Sequence, residues 1–344
     1  LRISTKSRNQ VINQLLNRGK QRRDPIKLKD HTGAIVSSPL SVAENFNTYF
    51  SSIAANLKSK HLNTCPGTVT ENFSKFLKNP AKSSMFLTPT HDEEVGEIIT
   101  NLKNKATLDT KISSLKLATR FPSFTCVIAS LVNNSFTQGV YPQALKTARV
   151  VPIHKGGSKS EVSNYRPISL LSSFSKIYEK LMHARLIGYF DSNNLLYDAQ
   201  FGFRPGRSCE HALLTAQHHL LSSMSKKQVS LLLLIDFSKA FDVIEHEILL
   251  SKLMHYGVRG IVLDWFKSYL EGRTQFVAIE NVDSSPKHIE YGVPQGSILG
   301  PVLFVIYIND IPNIAEIAKF ILYADDANII VTADTLENAY DKLE

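Results

Sequence analysis

The sequence predicts an α+β fold, and three observations lead to it. VSLLLLID (229–236) is a continuous apolar run of strand length, as expected of a strand buried on both faces. Two pairs of alternating runs, QFVAIENV with KHIEYGV and FILY with NIIVTA, read as hairpins. Helical spacings fall irregularly between them, without the strict strand–helix alternation of a doubly wound sheet.

In chain order, residues 1 to about 40 are polar and basic and read as a leader. Val42, Phe46, Phe50, Ile53 and Leu57 have helical spacing, with Ser41 and Glu44 placed as a capping box. Leu62 to Thr90 is rich in Ser, Thr, Asn and Pro and reads as a linker with one short helix. Thr90 followed by Glu93 marks the start of a second helix, and Phe124 to Phe136 reads as a core helix. ARVVPIHK predicts a strand, NYRPISLLSSFSKIYEKLMHARLIGYF leads into a long helix, and QFGFRPGRSCEHALL opens another. After VSLLLLID, helices are expected over about 239–256 and 262–270, and an apolar one over 297–309. This gives three regions: a leader and linker region with short helices (1–86), a middle region (87–230) and a C-terminal region (231–344).

Composition excludes several classes. Hydrophobic residues make up 43% and charged residues 20% of the 344, ordinary for a globular chain and unlike a disordered one. The apolar run Ile298 to Ile308 is about half the roughly 20 residues a membrane span needs. No basic-then-apolar segment opens the chain, so a secreted product is not expected. The three cysteines, Cys65, Cys126 and Cys209, form no C-x-x-C pair, which argues for a reducing, intracellular setting, cytoplasmic or nuclear. The first residue is Leu1, which points to a piece of a longer product. Net charge is +8, with Arg2, Lys6, Arg8, Arg18, Lys20, Arg22, Arg23, Lys27 and Lys29 facing only Asp24 and Asp30. Such an arm suits a polyanion, nucleic acid or acidic lipid, and equally suits a solvated leader.

The chemistry concentrates at strand ends. Asp236 closes VSLLLLID, and Asp325 and Asp326 follow FILY. Carboxylates beside apolar strands are costly unless paired or bound to a cation, and adjacent aspartates repel each other. Three hard oxygen donors on neighbouring strands suit Mg²⁺. The plainer alternative is that Asp325 and Asp326 are ordinary turn residues. GVPQGS places Gln295 and Gly296 before an apolar helix, where backbone can approach a ligand closely. Lys155 and Arg166 are candidate phosphate-binding cations, although Lys155 also reads as a solvated loop lysine. Phe241, five residues past Asp236, also reads as core.

DFSKAFD, GVPQGSILGPVLFVIYINDIP and YADD, in that order, resemble the palm motifs of a reverse transcriptase. NYRPISLL, SKIYEKLM and QFGFRPGRSCEHALL resemble the fingers of the non-LTR (LINE-type) retrotransposon class. The resemblance extends from about Leu87 to the end. It implies right-hand polymerase fingers (87–230) and palm (231–344), with the thumb missing. It implies that Asp236, Asp325 and Asp326 bind two Mg²⁺ ions, with Mn²⁺ an alternative, for nucleotidyl transfer from a dNTP to a primer 3′-hydroxyl. It further implies that Phe241 excludes a 2′-hydroxyl, that Gln295 and Gly296 line the nucleotide and template pocket, and that Lys155 and Arg166 contact the triphosphate. The expected partners are an RNA template, a DNA primer and dNTPs, together with missing parts of a parent polyprotein, an endonuclease and the thumb. KNKATLDTKI lacks a glycine that relatives carry, and AFDVIEHE stands in place of AFDTVDH.

The expectation is therefore an RNA-directed DNA polymerase domain, the alternative a catalytically inactive nucleic-acid-binding remnant. A nuclease of RNase H type is disfavoured, because that chemistry does not pair two carboxylates in one hairpin. With no thumb expected, salt-sensitive, sequence-indifferent RNA or DNA binding is anticipated, with polymerisation weak or undetectable.

Overall fold

The computed structural model describes residues 26–29, 33–64, 73–78, 80–104, 106–109 and 112–343. The basic arm up to Asp24, and Asp30, lie outside the described residues. A small antiparallel pair, β1 (Leu28–Lys29) and β2 (Ile35–Val36), precedes α1 (Pro39–Thr64). Helices α2 (Asp92–Asn101), α3 (Ile112–Ala118) and α4 (Pro122–Gln138) lead to β3 (Thr147–His154) and β4 (Tyr165–Leu170). Two helices, α5 (Ser173–Ser192) and α6 (Cys209–Ser225), precede β5 (Val229–Asp236). Next come α7 (His246–His255), α8 (Ile261–Leu270), β6 (Arg273–Ile279), β7 (Val282–Asp283) and β8 (Lys287–Ile289). The chain then forms α9 (Leu299–Tyr307), β9 (Lys319–Tyr323), β10 (Asp326–Ala333) and α10 (Leu336–Asp341). Among the described residues no single helix is long and apolar enough to cross a membrane. Cys126 and Cys209 are free and exposed.

Two sheets organise this α+β arrangement. The larger has strand order β4-β3-β6-β7, with β8 also on β6, and its β3–β6 pair is parallel. It draws strands from both sides of residue 230. Strand β6 turns back into β7 at Glu280 and Asn281, whose φ values of 51° and 65° suit a two-residue primed turn. Strand β8 then pairs antiparallel with the start of β6, so the turn lies inside QFVAIENV rather than after it. The smaller sheet has order β5-β10-β9 and is antiparallel throughout.

Three apolar clusters hold these layers. The main one surrounds α9, whose Leu299, Val302, Leu303, Phe304, Val305 and Ile306 are all buried. Around it lie α5, α7, α8 and one face of the small sheet through Leu322, Ala327 and Val331. Trp265 and Tyr269 stack at 5.7 Å within it. Each such side chain removed from water contributes about 1.5–3 kcal/mol. A second cluster seats Val42, Phe46 and Phe50 of α1 on Val150, Tyr165 and Val277 of the large sheet. The helix expected over Val42 to Leu57 thus forms, extends to 26 residues and packs into the body. A third joins Phe201 and Ala212 to Ile321 and Ile330 on the other face of the small sheet.

Several local expectations are corrected. Helix α1 starts before Ser41: the Ser38 hydroxyl accepts from the Ser41 amide, and Glu44 instead accepts from Ser285. Thr90 does not cap α2, because its hydroxyl donates to Glu94 and its amide to Asn133. Residues 239–245 form turns rather than the start of α7, because their carbonyls at Phe241 and Ile244 are taken by the amides of Val293 and Gly292. Strand β5 is not buried on both faces: Leu232, Leu233 and Leu234 are exposed, since β5 forms an edge of its sheet.

The QFGF segment supports the small sheet. Phe201 N–H donates to Leu322 O, and Leu322 N–H to Ala199 O. The Gln200 carboxamide oxygen accepts from the amides of Gly202 and Ala324. A Cβ at Gly202 would lie 2.1 Å from Ala324 N, so only glycine permits the β9–β10 turn to pack here. Gly202→Ala should cost about 1–3 kcal/mol, the usual penalty of overpacking, in denaturant melts. An unchanged midpoint would mean that the turn is not held by this contact.

Candidate active site

Asp236 is the last residue of β5 and Asp326 the first of β10, and the two are directly opposed in the ladder. Directly opposed residues share a face of the sheet. Asp325 occupies the two-residue turn before Asp326, and its carbonyl accepts from the Phe237 amide at 3.1 Å. The preceding Ala324 takes φ 55°, an uncommon left-handed conformation for alanine. Main-chain pairing therefore brings three aspartates, about ninety residues apart in sequence, to one end of the small sheet.

They line one cleft of about 590 Å³ with Lys155, Arg166, Phe237, Lys239, Phe241, Asp242 and Gln295. The carboxyl of Asp326 is pushed above its ordinary value, first by burial and then by the charges of Asp325 and Asp236. Among the described residues no three His, Cys, Asp or Glu side chains are gathered closely enough to hold an ion as they stand. The donor set nevertheless fits a hard divalent cation in kind, being three carboxylates that line one cleft, two of which act on the third through their charge.

The same cleft also carries cations. Strands β3 and β4 pair with Ile153 opposite Arg166, and Lys155 N–H donates to Asn164 O, so Lys155 and Arg166 flank one hairpin end. Both side chains are exposed. Phe241 is half-buried: it stacks on Phe304 at 4.9 Å, meets Phe203 edge-on at 5.9 Å, and still lines the cleft. It is thus both core and wall.

The PQG turn is clamped from three sides. Gln295 donates from Nε2 to both carboxylate oxygens of Asp242, at 2.8 and 2.9 Å. Its carbonyl accepts from Ser169 of β4 at 2.7 Å. Gly296 has φ 123°, and a Cβ there would sit 2.6 Å from Ser169 O, so glycine is required. The third clamp is Glu179 of α5, fully buried, which accepts from the amides of Ile298 and Leu299 at the start of α9. A carboxylate at a helix N-terminus meets unpaired amides and the positive end of the dipole. Burial pushes the Glu179 carboxyl up, against hydrogen bonds from Ser175 and the two amides and the charge of Arg273.

Sequence reasoning named the three aspartates, Lys155, Arg166, Phe241, Gln295 and Gly296. Of these, all but Gly296 line the cleft, and Gly296 sits beside it in the clamped turn. It missed Lys239 and Asp242, although both stand in DFSKAFD, and it missed Glu179. An acidic residue flanked by buried Ile177, Tyr178, Leu181 and Met182 was the available signal for Glu179. Arg204 and Arg207 are engaged within the protein, by Tyr197 O and Asp191 and by Asp198 respectively.

With this geometry in place, comparison with known proteins is direct. Residues 153–344 match the family described as reverse transcriptase (RNA-dependent DNA polymerase). The chain belongs to that family, and its similar relatives come from non-LTR, LINE-type retrotransposons. It is 33% identical over 280 residues to the probable RNA-directed DNA polymerase from transposon BS of Drosophila melanogaster, covering 76% of this chain and 30% of that protein. It is 30% identical over 283 residues to the RNA-directed DNA polymerase from mobile element jockey of the same species, covering 80% and 31%. A third relative, in a type-1 retrotransposable element R1 of Bradysia coprophila, is 30% identical over 219 residues, covering 60% and 20%. The chain thus spans about three-tenths or less of the length of these relatives.

The Asp242 carboxyl is pushed up to about 6, by burial first, against the Gln295 hydrogen bonds and the charge of Lys239. Because folding raises this pKa above 3.8, Asp242 contributes stability that is fully present below about pH 4 and is lost as pH rises through 6. Two units correspond to about 3 kcal/mol. Wild type should therefore lose on the order of 2–3 kcal/mol relative to Asp242→Asn between pH 4 and 7 in denaturant melts. Parallel pH profiles would contradict the burial of this charge.

Proposed function

We propose that this chain carries the nucleotidyl-transfer site of an RNA-directed DNA polymerase, adding dNTPs to a DNA primer on an RNA template. The supporting observation is the direct opposition of Asp236 and Asp326, beside Asp325, in one cleft with Lys155 and Arg166. On this reading residues 87–230 are fingers and 231–344 palm, with β6 to β8 returning to the fingers sheet.

Asp236, Asp325 and Asp326 would hold two Mg²⁺, or Mn²⁺, ions. When bound, such ions stabilise charge on the transferred phosphoryl group and favour the deprotonated primer hydroxyl. The chain's own residues do the positioning. Lys155 and Arg166 attract the triphosphate, Arg166 through its planar donor fork. Phe241, backed by Phe304 and Phe203, presents a rigid ring where a 2′-hydroxyl would lie. Gln295 has its amide nitrogen committed to Asp242, which leaves the carboxamide oxygen available to a ligand. The immobilised turn matters because misplacement by about 1 Å can cost on the order of a hundredfold in rate.

Single-nucleotide primer extension on a primed RNA template, with Mg²⁺ or Mn²⁺, tests this. Template-directed addition should be measurable and should fall by on the order of a thousandfold in Asp236→Asn, the scale of losing one preorganised electrostatic group. Addition by Asp236→Asn at the wild-type rate would remove the aspartate from the reaction. In the same assay Phe241→Val should admit ribonucleotides more readily, and unchanged sugar selectivity would leave Phe241 a core residue alone.

A further inference from the structure

We propose that Lys239 is a third phosphate-binding cation of the cleft, closing on the β- and γ-phosphates of a nucleoside triphosphate together with Lys155 and Arg166. The proposal rests on the polymerase reading and adds to it a residue of the turn that follows β5.

Three features of Lys239 converge. It stands three residues past Asp236 at φ 56°, a left-handed conformation that a lysine rarely adopts. The turn cannot relax out of it easily. The Asp242 amide donates to Lys239 O, and the amides of Val293 and Gly292 fix the carbonyls of Phe241 and Ile244. Strain retained by a tightly determined backbone is commonly found where a side chain must be aimed. Here the side chain lines the cleft, with its ammonium over the Tyr49 ring of α1 at 5.6 Å.

The second feature is the company it keeps. Lys155, Arg166 and Lys239 line the same cleft, and among the described residues none of them has a carboxylate within ion-pair distance. Burial, then Lys155 and Arg166, holds the Lys239 ammonium below its ordinary pKa, with only Asp242 opposing. Cations gathered without a counter-charge repel one another, and a multiply charged anion relieves that repulsion.

The third is segregation. The charges that act on Lys239 are those of Lys155, Asp242 and Arg166, whereas those that act on Asp326 are those of Asp325 and Asp236. A triphosphate satisfies both, with its terminal phosphates on the cations and its reacting phosphate towards the carboxylates. A lysine serving only to pack on Tyr49 would need no such neighbours.

Lys239→Met keeps the stem over Tyr49 and removes the charge, whereas Lys239→Arg keeps both. Equilibrium binding to the 344-residue chain should be measured with dTTP, dTMP and inorganic tripolyphosphate. Lys239→Met should weaken dTTP and tripolyphosphate about tenfold, leave dTMP unchanged, and be largely rescued by Lys239→Arg. Equal tripolyphosphate affinity in wild type and Lys239→Met, or no tripolyphosphate binding by wild type, overturns the proposal. So does equal weakening of dTMP, which would mark a general disturbance of the turn. Primer extension separates the two readings. A chain that binds tripolyphosphate through Lys239 but adds no nucleotide refutes the polymerase reading and keeps the lysine. Extension with an unchanged KM for dTTP in Lys239→Met refutes the lysine and keeps the polymerase.

Discussion

The antiparallel register between β5 and β10 is the constraint on which the site depends. Eight directly opposed pairs run from Val229 with Ala333 to Asp236 with Asp326. Side chains alternate faces along a strand, so a slip of one residue would send every side chain of β5 to the other face and part the two carboxylates. The register is held at the far side of β10 by β9 and at the turn by the QFGF segment, where Gly202 and the Gln200 carboxamide meet Ala324. Apolar contacts of Leu322, Ala327 and Val331 with the core around α9 fix which face is inward. The unfavourable gathering of like charges at Asp236, Asp325 and Asp326 is thus imposed by backbone pairing and core packing elsewhere.

A second constraint acts on another part of the cleft lining. The PQG turn is held by Asp242, by the backbone of Ser169 and, through the first turn of α9, by Glu179. Each hold comes from a different element: the turn after β5, strand β4 and helix α5. Buried carboxylates are costly, and both Asp242 and Glu179 have raised pKa values for that reason. Their hydrogen bonds offset part of the cost, and what the protein gains is a fixed loop between its two sheets. The same turn after β5 carries Lys239, so the carboxylates, the cations and the PQG turn of the cleft share one frame.

Much of this was legible in the sequence where one element determines its own shape. The apolar runs gave the α+β class, both hairpins and the buried helix α9, and the acidic residues at strand ends were visible as misfits in apolar surroundings. What the sequence did not show depended on partners distant along the chain. Strand β5 looks buried because VSLLLLID is continuously apolar, but edge or centre is decided by strand order, and Leu232 to Leu234 lie open. The segment 39–64 shows its helix in the spacing of Val42 to Leu57, but not what that helix packs against. Its Phe46 and Phe50 meet Tyr165 and Val277 more than a hundred residues away. Lys239 and Asp242 were hidden by helical spacing that continues through a turn, and the amides that break the helix come from Val293 and Gly292.

The most direct test of this account is anomalous diffraction from crystals of the chain grown with Mn²⁺. The account predicts manganese peaks between the end of β5 and the β9–β10 turn, ligated by Asp236 and Asp326 with Asp325 alongside, at oxygen distances near 2.1–2.2 Å. Manganese bound only elsewhere at saturating concentration, with these three carboxylates left apart, would contradict it.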